Sequence, residues 1–424
     1  MADGFQLKAR HRVLSILFLA SIVSFVDRTA MTVALPFIRK DFGLTAIESG
    51  FVISAFFASY SIAQIPGGLL VDRFGIRKVT TVALLWWSVF TGITGSIGGF
   101  VQMLVARFFF GLGEGVFPIC TFKTVAVWFP KRSRGTANAI MLSSSRLGQA
   151  IAPLPVIWII AHLGGWRSAF LGLCLPGLVI AALFWLLVPN SPAEGRGVSR
   201  ADLDELDEDA DGGAVPGAPS VSAWVVLRDT VVLRYMLIYF VFDFAFWGFT
   251  SWFPTYLVEE RGFSALQMGV AASLPALSGT LGCIFGGWIS DRLFRDNRRL
   301  PVIVSPVLSA LFLYLTLTTS SVTMVMLYQT ISGLLLNVFF AAFWALPIST
   351  VPKERMGITS GVINTGGQLA GAISPIVVGA LVSASGGRFG VTFGVLVVAL
   401  ILVGAIAMTL PGRVRPRPGD PIAV

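Results

Sequence analysis

The chain has 424 residues, of which 55% are hydrophobic and only 12% charged, and it carries a net charge of +9. A soluble globular protein carries about 25% charged residues, so this balance excludes one and reads as an integral membrane protein. The basic excess alone is compatible with a nucleic-acid partner, but its placement in loops, described below, accounts for most of it without one.

Hydropathy predicts twelve membrane-crossing helices, near 13–37, 48–71, 79–98, 101–127, 136–161, 168–188, 232–257, 266–290, 301–319, 322–349, 358–383 and 389–411. The first holds Asp27-Arg28 in the middle of an apolar run. An ionised group at mid-membrane costs ~2.5 to 3.5 kcal/mol, so such residues face a bundle interior or a watery cavity and serve transport. Adjacent helical residues do not face each other, which leaves Asp27 and Arg28 each open to another partner. Asp27 reads as a proton-coupling acid, with a structural pairing to Arg28 or Arg107 as the alternative. The helix has a basic start but no small-residue cleavage site, and it is expected to stay attached.

On helix 2, Tyr60 and Gln64 share a face, and Tyr60 is placed to cap a ligand. The following loop reads Gly68-Leu69-Leu70-Val71-Asp72-Arg73-Phe74-Gly75-Ile76-Arg77-Lys78. Gly68 permits close helix approach, Asp72 suits the N-terminus of a neighbouring helix, and Arg73, Arg77 and Lys78 anchor a cytoplasmic edge. With Gly75 these residues form a candidate gate latch. Topology alone explains the cations but neither Asp72 nor the glycines.

Helix 4 carries Arg107, Gly111, Gly113, Glu114 and Gly115. Arg107 and Glu114 are two turns apart and share a face, so they are either a structural pair or a substrate-binding cation and an acid that loads and releases a proton. Lys123 lies off that face and is expected to snorkel. Helix 5 places Arg146 and Gln149 one turn apart with Ser145 nearby. A planar guanidinium fork there suits a carboxylate, and the alternatives are helix-end carbonyls or Glu114.

From Pro189 to Ala223 the sequence turns polar and acidic, which no core can bury. The expected organisation is a six-helix bundle over 1–188, a cytoplasmic acidic linker over 189–231 and a second six-helix bundle over 232–424. The halves echo one another. Gly67-Gly68 with Asp72-Arg73 recurs as Gly286-Gly287 with Asp291-Arg292, the latter a second candidate gate, and Pro130-Lys131 with Gly135 recurs as Pro352-Lys353 with Gly357. The second half is poorer in polar residues: Asp243, Asn337, and Asn364 with Gln368 one turn apart. Asn364 and Gln368 bind substrate hydroxyls or join helices.

With both termini inside, most Lys and Arg fall in cytoplasmic segments, among them Arg73, Arg77 and Lys78, Lys131, Arg132 and Arg134, and Arg292 to Arg299. Cys120, Cys174 and Cys283 fall within predicted helices without a close-spaced partner, so neither a disulfide nor a metal is expected. The only histidines are His11 and His162, and no catalytic set is present.

A duplicated six-helix unit, with repeats related by an axis along the membrane normal, is the architecture of the major facilitator transporters. The loop at 68–78 resembles their signature G-x-L-x-D-R-x-G-R-[RK]. Further, the helix 1 charge pair, the G-x-G-E of helix 4, Trp128-Phe129-Pro130 with its basic residues, SRLG at 145–148, GWR at 165–167 and NTGGQLAGAISPI at 364–376 resemble the anion:cation symporter family. That family includes bacterial sugar-acid/proton symporters, sialin and vesicular glutamate transporters, and the resemblance covers nearly the whole chain outside the linker. It implies an all-α fold of twelve transmembrane helices in two pseudo-symmetric bundles. It also implies that Asp27 and Glu114 respond to protons, that Arg28 binds a substrate carboxylate, and that Ser145, Arg146, Gln149, Asn364 and Gln368 line the substrate. Arg146 and Phe25 depart from the pattern of several members, which points to a ligand more anionic or less hydroxylated than a simple sugar acid.

The expectation is a proton-coupled importer of a small organic anion, working as a monomer among lipids of a bacterial inner membrane, with no cofactor beyond the proton gradient. The alternative is a drug/proton antiporter of the same fold. Against it, helix 5 lacks the glycine-rich antiporter-like pattern, and a lipophilic cation disfavours three arginines.

Overall fold

The computed structural model describes residues 9–194, 198, 206, 226–294 and 297–410, apart from the side chains of Asp291, Lys353 and Glu354. The acidic run of the linker therefore lies outside the described residues. The described residues are helical: α1 (Ala9–Phe42), α2 (Ala46–Phe74), α3 (Ile76–Thr94), α4 (Phe100–Trp128), α5 (Lys131–Ile151), α6 (Pro153–His162), α7 (Trp166–Leu187), α8 (Thr230–Glu259), α9 (Ala265–Trp288), α10 (Arg299–Thr318), α11 (Val322–Thr350), α12 (Lys353–Ala384) and α13 (Phe389–Ala407). A backbone crossing a bilayer must satisfy its own N–H and C=O groups, and the helix does so within one segment.

Among the described residues, ten helices are long and apolar enough to cross a membrane. Two further crossings complete the twelve. One is α3, which opens with Arg77 and Lys78. The other is the stretch expected as one helix over 136–161, which begins at Lys131 and is divided into α5 and α6 at Pro153. Pro153 and Pro155 have no N–H to continue the ladder, which accounts for the break. Several helices also outrun their apolar stretches, α1 reaching Phe42 past Arg39 and Lys40, because the hydrogen-bond ladder continues where the hydrophobic side chains stop. The α2 start is fixed by a capping box in which Thr45 Oγ1 accepts from the Glu48 N–H at 3.2 Å and the Glu48 carboxylate accepts from the Thr45 N–H at 2.8 Å.

By contact the chain forms two compact units, Met1–Ala218 with Phe253–Ser273, and Pro219–Trp252 with Leu274–Val424. In the first, α4 packs on α2 and α3, α7 on α3, and α1 on α5 and α7. In the second, α10 packs on α11 and α13. Large apolar side chains such as Ile65, Leu69 and Leu186 are exposed, as expected of faces turned to lipid.

The duplicated glycines do the same work in both units. A Cβ on Gly67 would stand 3.1 Å from Val116 Cγ2, and one on Gly286 would stand 2.7 Å from Val338 Cα. The second glycine of each pair is open: Gly68 has Ile119 Cγ2 at 3.8 Å and Gly287 has nothing within 4 Å. The close approach expected at Gly68 thus falls on Gly67, because one residue turns the helix by about 100° and carries Gly68 away from α4.

Candidate functional site

On α1, Ser24 stands one turn before the adjacent Asp27 and Arg28. Across from them α4 brings Arg107 and Glu114. Asp27 and Glu114 are each 1% exposed, Arg107 is 2% exposed and the Arg28 side chain is 15% exposed, so four charges share the interior of one bundle. Two glycines admit the α2 helix to this cluster. A Cβ on Gly111 would stand 2.5 Å from the Phe56 carbonyl oxygen, and one on Gly115 would stand 2.9 Å from Tyr60 Cα. Gly113 turns the other way, to α3, where a Cβ would meet Trp86 Cδ1 at 2.5 Å.

Arg28 Nη2 donates to Glu114 Oε1 at 2.9 Å, and the Ser24 hydroxyl donates to the same oxygen at 2.5 Å. The Arg28 guanidinium is also held by three rings, its carbon lying 4.7 Å from the Phe25 centroid, 4.8 Å from Phe56 and 5.0 Å from Tyr60. Arg107 lies over Phe110 at 4.3 Å and Phe56 at 5.3 Å. Asp27 Oδ2 accepts from the Thr91 hydroxyl at 3.3 Å. Asp27 Oδ1 and Glu114 Oε2 are buried without a hydrogen-bond partner.

Two of the pairings left open by the sequence are not made. Glu114 takes its cation from α1 and not from Arg107, since seven residues along a helix separate the side chains by about 10 Å. Asp27 is held by a hydroxyl on α3 and by no arginine fork among the described ion pairs.

Helix α5 is wedged onto the same part of α1, a Cβ on Gly148 standing 2.8 Å from both the Ile22 carbonyl oxygen and Phe25 Cβ. Ser145, Arg146 and Gln149 flank that glycine and are half-buried. The Ser145 hydroxyl donates to the Leu142 carbonyl at 2.6 Å, so a serine expected to face substrate is engaged within its own helix. In the second unit Asn364 and Gln368 are half-buried on α12. Between them, a Cβ on Gly366 would stand 2.8 Å from the Met236 carbonyl oxygen of α8, and one on Gly367 would stand 2.5 Å from Tyr239 Cε1. Asp243 is buried and borders Gly367. Asn337 donates to the Gly333 carbonyl at 2.8 Å and accepts from Cys283 on α9 at 3.7 Å, a helix-joining role.

At the candidate gate, Asp72 meets the Lys123 ammonium at the end of α4 and not a helix N-terminus. Lys123, expected to snorkel, is thereby tied to the last turn of α2, since residues 68–74 continue that helix and do not form the expected loop. Gly75 ends α2 and begins α3 at φ 82°, and a Cβ there would stand 2.5 Å from Asn190 Oδ1. That oxygen accepts the Arg77 N–H at 3.0 Å, while Arg77 Nε donates to the Trp185 carbonyl at 2.6 Å. Arg77 therefore ties the start of α3 to the end of α7. Arg73 stacks on Phe74 and Lys78 is exposed. Arg292 sits in a π-helical turn, Ile289–Leu293, that replaces the left-handed glycine link of the first half, and the Asp291 side chain lies outside the described residues.

Sequence reasoning missed Ser24, Thr91 and Phe56. Ser24 had a signal, standing one turn before Arg28. Thr91 had none, since nothing in its own helix points to Asp27. No group of three or more His, Cys, Asp or Glu residues converges among the described residues.

The chain matches the family model of the Major Facilitator Superfamily over residues 17–375. It is 34% identical over 410 residues to the "probable sulfoacetate transporter" of Cupriavidus necator, covering 95% of this chain and 94% of that one. It is 32% identical over 399 residues to the "probable galactarate/D-glucarate transporter" of Escherichia coli strain K12, covering 88% of each. Its fold superposes with a TM-score of 0.81 on the crystal structure of a bacterial homolog of the human lysosomal transporter Spinster, at 19% identity over 95% of this chain and 97% of that one.

Proposed function

The chain belongs to the Major Facilitator Superfamily, and from that premise we propose that it imports a small organic anion together with protons by alternating access. It is an integral membrane transporter and not an enzyme. The cargo of the relatives named above, sulfoacetate, galactarate and D-glucarate, is anionic throughout, which supports a carboxylate-bearing substrate here.

The observation that carries the reading is the buried Arg28–Glu114 ion pair at 2.9 Å inside a three-ring cage. Arg28 and Arg107 balance Asp27 and Glu114 when both acids are ionised. Protonation of the acids leaves two positive charges in a desolvated bundle, where charge acts strongly on a substrate. A proton on Glu114 also neutralises the partner of Arg28 and frees the guanidinium fork for a carboxylate. Proton and anion then enter together, and loss of the proton restores the pair and expels the anion. Ser145, Arg146, Gln149, Asn364 and Gln368 are the remaining contacts we assign to substrate, and the loop at 68–78 and Asp291-Arg292 the gate. The protein works as a monomer in the lipid of a bacterial inner membrane, with both termini cytoplasmic and the proton gradient as its energy source.

The test is uptake of radiolabelled D-glucarate, galactarate and sulfoacetate into proteoliposomes, with and without an inward proton gradient. Gradient-driven accumulation of one of them, lost in Glu114→Gln and in Arg28→Ala, is the expected result. Accumulation that ignores the gradient, or expulsion of cationic dyes in place of uptake, overturns the proposal.

A further inference from the structure

Thr91 lies outside every motif named above, yet its hydroxyl oxygen stands 3.3 Å from Asp27 Oδ2 and 3.0 Å from the Trp87 carbonyl oxygen. A hydroxyl has one proton and two lone pairs. It can donate to only one of these two acceptors at a time, and the two choices match the two protonation states of Asp27. When Asp27 is ionised, Thr91 donates to Oδ2. When Asp27 carries a proton on that oxygen, Thr91 donates to the Trp87 carbonyl and accepts from the carboxyl. In both states Asp27 Oδ2 stays hydrogen-bonded to Thr91 without movement of the backbone.

We propose that Thr91 is a positioning residue for the proton step at Asp27, its hydroxyl turning between Asp27 and the Trp87 carbonyl as the proton arrives and leaves. The proposal rests on the reading of Asp27 as a proton-coupling acid. Ser24 differs in kind. It donates to Glu114 Oε1, which Arg28 also engages, and no second acceptor for its proton is found among its described contacts. Ser24 holds its acid in one orientation, whereas Thr91 has a place to send its proton.

The surroundings of Asp27 leave this role to Thr91. The charged groups that act on Asp27 are Glu114 and Arg107 on α4, and Cys174 on α7 feels its charge. Arg28 follows it on its own helix. Tyr60 on α2 lies against Arg28, and no titratable group of α5 or α6 is among the described hydrogen-bond or charge partners of Asp27. Among the described hydrogen bonds only Thr91 reaches the Asp27 carboxylate.

Infrared difference spectroscopy of the full chain in liposomes, titrated with acid, reads the carboxyl C=O band directly and needs no substrate. Asp27→Asn assigns the band. Thr91→Val removes a hydrogen bond from both forms, and the bond to the ionised carboxylate is the stronger, so the band is expected at a midpoint about one pH unit higher and at a higher frequency. Thr91→Ser keeps the hydroxyl and is expected to keep the wild-type midpoint and frequency. An Asp27 band that is the same in wild type and Thr91→Val overturns the role of Thr91 while leaving Asp27 as a proton carrier. A spectrum in which Asp27→Asn removes nothing overturns the reading of Asp27 and the role of Thr91 with it. A Thr91→Val protein that melts early is judged against Thr91→Ala, which lacks the hydroxyl but relieves any crowding by the second methyl, and is expected to show the same shift.

Discussion

Arg28 on α1 and Glu114 on α4 meet at 2.9 Å in the interior of the first bundle, and the Glu114 side chain is 1% exposed. Ion pairs this well buried stabilise little by their formation, but losing one partner strands the other charge, at about 3 to 5 kcal/mol. Arg28→Ala is therefore expected to lower the melting temperature by several degrees, and Arg28→Ala with Glu114→Gln to recover part of the loss. Thermal unfolding followed by tryptophan fluorescence in detergent decides it. A double variant no more stable than Arg28→Ala would mean the stranded carboxylate is not the cause.

The glycines make a graded prediction. Alanine at Gly111 would press on the Phe56 carbonyl at 2.5 Å, where rigid backbone cannot yield, and overpacking of this kind costs about 1 to 3 kcal/mol. Alanine at Gly68, inside α2, would find its nearest neighbour at 3.8 Å and is expected to leave stability unchanged or raise it by up to about 1 kcal/mol. Melting curves of the two variants should separate cleanly; equal losses would remove the case that Gly111 sets the α2–α4 approach.

Asp72 and Lys123 test the gate. Their side chains are 71% and 34% exposed, and pairs this open contribute little to stability. Asp72→Asn should leave the melting temperature almost unchanged while slowing D-glucarate uptake. The exchanged variant, Asp72→Lys with Lys123→Asp, is expected to regain rate. If it stays as slow as the single variant, Asp72 acts on the gate through some group other than Lys123.

Arg39 near the end of α1 donates to Glu259, the last residue of α8, at 2.5 Å. With Glu259 35% exposed, the pair is expected to show a coupling of about 0.5 to 1 kcal/mol. A double-mutant cycle with Arg39→Gln and Glu259→Gln, run at low and at high salt, measures it. The coupling should fall as salt rises; one that does not change with salt would point to packing and not to charge.

Much of this molecule is legible in its sequence. The twelve crossings follow from composition, because a backbone in hydrocarbon has to bond to itself and an apolar stretch of about twenty residues has no other way across. The list of expensive residues, Asp27, Arg28, Arg107 and Glu114, also follows, since a charge stands out in such a stretch. So does the duplication, down to the paired glycines of α2 and α9.

What the sequence left open was who meets whom. Helical periodicity tells which residues share a face, and on that basis Arg107 and Glu114 belong together, but it says nothing of the helix lying opposite. Close approach of α2 at Gly111 and Gly115, and of α5 at Gly148, brought the rings of α2 and the backbone of α1 into the charged cluster. There Glu114 found Arg28, Asp27 found Thr91, and the unremarkable Phe56 came under two guanidinium groups. Spacing along one chain fixes the faces; contact between faces depends on how near two backbones can come, and that is settled only when the helices pack.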